Sequence, residues 1–98
     1  MFAEAGDKEL QDKDKSEKTI TLSPHAKEKL KRLVQIDITE EKTVKTVQDP
    51  ESVTAGYFGR KIAQSTLTDE LSLRVVYEEM NNSILVVTMY PAKKGRYE

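Results

Sequence analysis

Few side chains in this 98-residue chain combine the residue type and the spacing that chemistry needs. The lone histidine, His25, opens a basic helix-like segment. At 100 degrees per residue, His25, Lys29 and Arg32 fall at roughly 0, 40 and 340 degrees, one stripe beside the apolar face. Neighbouring cations disfavour a protonated imidazole, so in a cleft His25 is a neutral proton acceptor near pH 7. The alternative is a first-turn histidine hydrogen-bonded to backbone. Arg74, amid an otherwise apolar strand, is placed to contact a phosphate on an open sheet face, or to pair with Glu78 or an acid of a neighbouring strand. The C-terminal segment concentrates Lys93, Lys94, Arg96 and Tyr97, types that bind a phosphodiester backbone and stack a base. Solvation of a charged terminus is the competing reading.

The remaining composition removes many function classes. With no cysteine there is no disulfide framework, thiolate zinc site or cysteine nucleophile, and one histidine leaves no histidine-rich metal site. No phosphate-cradling glycine loop, metal-binding spacing, G-x-S-x-G or internal repeat occurs. No metal and no cofactor is therefore expected. No apolar run approaches the ~20 residues of a membrane span, and the first residues lack a signal-peptide apolar core, so the expectation is a cytoplasmic protein with no membrane partner. The formal charge of -1 averages unlike parts. Residues 1–18 hold six acids and four bases with few apolar residues, which predicts a disordered charged leader. Residues 19–98, with 12 bases and 11 acids, form a single domain.

The elements that must position these residues follow from periodicity. Thr19-Ile20-Thr21-Leu22 alternates as a short strand or extended lead-in. Ser23 then caps a helix whose first position is Pro24, with Ala26, Leu30, Leu33 and Val34 on one face. Thr39 caps a second helix through Val47, with Glu40 and Glu41 at its positive end, and Asp49-Pro50 ends it. From Ser52 the period becomes two, predicting strands at about 52–56, 60–67, 71–78 and 84–90 in an antiparallel meander. Ile84-Leu85-Val86-Val87 is apolar on both faces, which places the last strand centrally. The expected fold is α+β, two N-terminal helices packed on a four-stranded antiparallel sheet.

Ser23-Pro24-His25-Ala26, Ile38-Thr39-Glu40-Glu41, Asp49-Pro50, Leu73-Arg74-Val75-Val76-Tyr77 and Ile84-Leu85-Val86-Val87-Thr88-Met89-Tyr90 resemble the domain-of-unknown-function 4258 family over about residues 19–98. That family is itself similar to the RelE and BrnT toxins, small ribonucleases in which helices pack on an antiparallel sheet and basic residues address RNA. The resemblance matches His25 to the family's opening histidine, Arg74 to its strand arginine and residues 94–97 to a toxin-like basic terminus. Where the family shows a glycine turn after Arg32, this chain has Leu33-Val34-Gln35-Ile36, which predicts a longer helix. The resemblance implies an RNA-cleaving enzyme: His25 or Tyr97 moves a proton from the 2′-hydroxyl, while Arg74, Lys93 and Arg96 stabilise the pentacoordinate phosphate. Lys29, Arg32 and Lys94 complete the nucleic-acid-binding set. The alternative is a non-catalytic interaction module whose partner is a cognate antitoxin-like protein or a second copy, a reading helped by the pI near 5.9.

Overall fold

The computed structural model describes residues 18–94. Its order is β1 (Thr19–Leu22), α1 (Pro24–Leu33), a 3-10 turn at Val34–Ile36, α2 (Glu40–Gln48), β2 (Ser52–Ala55), a short turn at Tyr57–Gly59, β3 (Lys61–Thr66), β4 (Leu71–Glu79) and β5 (Ser83–Lys93). The α+β expectation is met, with α1 and α2 against one face of the sheet. The sheet itself is corrected. It has five strands in the order β1-β5-β4-β3-β2, and it is mixed, because β1 pairs parallel with β5 from Thr19 opposite Ser83 to Leu22 opposite Val86. The helices therefore follow a strand rather than opening the fold. The expected leader at residues 1–17 lies outside the described residues; Lys18 is held by the Glu79 carboxylate at 2.9 Å and the Met80 carbonyl at 3.0 Å.

The caps behave as their residue types dictate. Ser23 Oγ accepts the Ala26 N–H at 3.1 Å and Thr39 Oγ1 that of Lys42 at 3.2 Å. The helix at Leu33 tightens into the 3-10 turn and stops at Asp37, whose φ of 69° supplies the left-handed residue that a glycine turn would provide. The core gathers Leu22, Ile38, Val47, Val75, Tyr77 and Val86, all buried. On α2 the inward face includes Thr43 and Thr46. Their hydroxyls donate to the carbonyls of Thr39 and Lys42, and Thr46 also meets Ser65 of β3 at 2.7 Å, so these polar side chains enter the core satisfied.

Across β3, β4 and β5 the register fixes two faces. Ala63, Val75 and Met89 stand opposite one another on the helix side, and Gln64, Arg74 and Tyr90 form the next row on the other side. Between Val76 and Tyr77 the β4–β5 pairing slips by one residue, since Val76 faces Thr88 and Tyr77 faces Val86. Val87 is the extra residue of a β-bulge. The bulge returns Ile84, Val86 and Met89 to the core although Val86 and Met89 are three apart.

Candidate functional site

β1 ends at Leu22, so beyond Val86 the outer edge of β5 is no longer covered by a strand. The chain turns there and is pinned to the bulge: Ser23 N–H donates to the Val86 carbonyl at 2.9 Å and Ser23 Oγ to that of Val87 at 3.0 Å. Helix α1 starts at once and packs against β5. His25 is in its first turn and exposed. One turn on, Lys29 reaches past the edge of β5, where Nζ donates to Thr88 Oγ1 at 3.3 Å and lies 5.8 Å from the centroid of the Tyr90 ring. Burial holds the Lys29 ammonium below its usual range, and Arg32 adds to the effect.

From the sheet, Arg74 approaches the same ring. Its Cζ lies 5.9 Å from the Tyr90 centroid, Nε donates to the Tyr90 hydroxyl at 3.1 Å, and Nη1 donates to Gln64 Oε1. Arg74 is only 6% exposed, and lies flat along the Gln64–Arg74–Tyr90 row. It is therefore placed to fix Tyr90 rather than to reach outward. Glu78, the acid expected as its alternative partner, instead binds Arg60 at 2.8 Å. Two cations on one half-buried aromatic ring, with Arg32 close enough to depress Lys29, make a local positive surface.

The structure thus brings Lys29 and Arg74 to one ring, with Arg32 one turn on and His25 one turn back from Lys29 along α1. It does not bring Lys93 there. Lys93 stands opposite Leu71 on the helix side of the sheet, the face away from Tyr90, and is exposed. Lys94 is at the strand's end, its N–H donating to the Glu70 carbonyl at 2.9 Å; the Glu51 carboxyl is held below its usual range mainly by the N–H and hydroxyl of Thr66, with the Lys94 ammonium a lesser contributor. Arg96 and Tyr97 lie outside the described residues. Tyr90 and Thr88 were not singled out by the sequence. Among the described residues no three of His, Asp and Glu are grouped to hold a metal ion. No described helix is long and apolar enough to cross a membrane.

The arrangement defines an α+β chain with a mixed sheet and a basic edge built around one tyrosine. Comparison with family models, with curated proteins and with solved structures finds no match for it.

Proposed function

We propose that this protein acts on single-stranded RNA as a toxin-type ribonuclease, binding the strand along the β5 edge. The observation that supports the reading most directly is the approach of Lys29 from the helix and Arg74 from the sheet to the one ring of Tyr90, at 5.8 and 5.9 Å from its centroid. In this reading Lys29 and Arg32 hold a phosphodiester, and the Tyr90 ring offers a face on which a base stacks. Arg74 is a positioning residue that keeps the ring in place through the hydroxyl. His25 accepts the 2′-hydroxyl proton. The 2′-oxygen then attacks phosphorus, and the bond to the 5′-oxygen breaks to leave a cyclic phosphate. The departing 5′-oxygen takes a proton from Tyr97 or water. Arg96 is the tail's remaining phosphate contact in this scheme.

A second reading, a non-catalytic interaction module, draws on the near balance of 12 bases and 11 acids in residues 19–98 and on the exposed pair Tyr57 and Phe58. A fluorescein-labelled short RNA separates the two. The ribonuclease reading expects a rise in anisotropy on adding wild type and a shortened product on a gel, with His25→Ala cutting the cleavage rate ~10²-fold while binding persists. Binding without cleavage reduces the claim to an RNA-binding protein. Neither binding nor cleavage refutes it and leaves the interaction module.

A further inference from the structure

Strand β2 is the outermost strand beyond β3, and all four of its residues, Ser52 to Ala55, are exposed. An edge strand leaves alternate N–H and C=O groups unpaired, and proteins usually guard such edges with charge or proline. Here residues 52–59 contain no charged residue and no proline, in a chain that is 34% charged. At one end of this edge the turn holds out Tyr57 and Phe58, 85% and 90% exposed, their rings 6.4 Å apart. Phe58 occupies the left-handed region at φ 58°, a conformation that is costly for a bulky side chain and that keeps the aromatic pair projecting. At the other end, beside Pro50, an open cleft of about 390 Å³ separates α2 from β3. Pro50, Leu67 and Leu73 line it, with Lys42 and Lys45 and the carboxylates of Asp49 and Glu51 around them. The Glu51 carboxylate fixes its rim by accepting the N–H and hydroxyl of Thr66 at 2.9 and 3.1 Å.

We propose that the chain forms a two-fold dimer by antiparallel pairing of β2 with β2 of a second copy, each Tyr57–Phe58 knob seating in the other's Pro50–Leu67–Leu73 cleft. The reasoning is geometric. With Thr54 on the axis opposite its own copy, positions summing to 108 face each other, so Phe58 of one copy arrives beside Pro50 of the other. Knob and cleft sit about equally far from the strand centre on opposite sides, and a two-fold axis exchanges them. An engineered cavity of about 150 Å³ takes up a benzene ring, so the cleft is large enough for both rings. Lys42 and Lys45 supply cations to the incoming aromatics. The two side chains bury about 300–500 Å² per copy at ~150–250 Å² each, a large part of the ~800 Å² per partner of stable interfaces. The uncharged strand adds its own contact area without setting like charges against each other.

Light scattering on the eluting chain tests this directly over protein concentrations up to roughly 100 μM, the weak end of the affinities such interfaces show. The expected mass is twice 11.2 kDa. Thr54→Lys, which sets two ammonium groups across the axis, and the double variant Tyr57→Ser/Phe58→Asn each return the mass to 11.2 kDa. Asparagine tolerates a positive φ, so the double variant should melt no lower than Thr54→Lys, and its loss of mass reports the interface rather than unfolding. A monomeric wild type overturns the proposal and leaves the edge to a different chain. So does a dimer that survives both variants, or a species larger than two copies, which would mean knob-to-cleft contacts in an open chain.

Discussion

Lys29 is a residue whose local energetics and whose proposed role pull in opposite directions. Its ammonium is drawn out of water against Thr88 and the Tyr90 ring, with Arg32 nearby, and its pKa falls accordingly. A lysine with a depressed folded-state pKa is unfavourable to stability while protonated, and that cost fades only as pH rises through the lowered value. Lys29→Gln should therefore leave the melting temperature at pH 7 unchanged or raised, yet weaken RNA binding. Thermal melts and RNA titrations on one preparation check the pair of outcomes. Tyr90→Phe removes only the hydroxyl that accepts from Arg74, so stacking stays possible while the ring loses its anchor. The expected outcome is near wild-type affinity with a cleavage rate lowered several-fold, whereas Tyr90→Leu lowers both. Equal behaviour of the Phe and Leu variants contradicts the stacking role. His25, Lys29 and Arg32 were picked out as candidates by residue type and helical spacing, and Arg74 by its place in an apolar strand. Tyr90 was not, and the bulge explains why. Counting one for one from Glu79 opposite Ile84, Arg74 would face Met89; the extra residue at Val87 puts Tyr90 there instead.

At the level of elements, the junction that organises the site is Ser23 against the bulge. Ser23→Ala deletes the cap to Ala26 and the bond to the Val87 carbonyl, and should lower stability by about 1 kcal/mol, a fall of roughly 4–8 °C in Tm for a domain of this size. The same melts read a second contrast. Val86→Asp puts a carboxylate at a fully buried position and should unfold the protein, costing several kcal/mol against a total of roughly 5–15. Val87→Asp, at the half-buried bulge, should fold. The reverse order would mean that the bulge is misplaced. Helix caps and the change of period at Ser52 were readable because they are local signals, whereas the last strand, expected centrally, is flanked on both edges only as far as Val86 and β4 holds the centre. β1 was visible only as four alternating residues, since its parallel partner lies more than sixty residues away. The last strand was expected at about 84–90, yet it continues through Pro91 to Lys93: beyond Val86 no strand covers that edge, and a missing N–H on an edge costs no ladder bond.

Over the whole molecule, charge shapes the acid limit of stability and, under the proposed ribonuclease reading, how RNA would be bound. The Glu79 carboxylate accepts from Lys18 and Lys61, each at 2.9 Å, and these bonds hold its pKa down to about 2. The contribution is present above the ordinary carboxylate value and is lost as pH falls from 4.5 towards 2. Two partly exposed pairs are worth on the order of 1 kcal/mol together. Urea midpoints should accordingly fall further between pH 7 and pH 3 in wild type than in Glu79→Gln, and parallel falls would remove Glu79 from the account. With 12 bases against 11 acids in residues 19–98, the molecule has no general attraction for a polyanion. RNA binding must then come from the few cations gathered at the β5 edge, which makes the salt dependence of that binding the most direct test of the central claim. Each phosphate neutralised on single-stranded RNA contributes about -0.7 to the log–log slope. Titrating one labelled RNA at several salt concentrations should give a clear negative slope for wild type, flattened by about 1.4 units in Lys29→Gln/Arg32→Gln. A slope near zero in wild type, or one that the double variant leaves unchanged, contradicts an RNA site at Lys29, Arg32 and Tyr90.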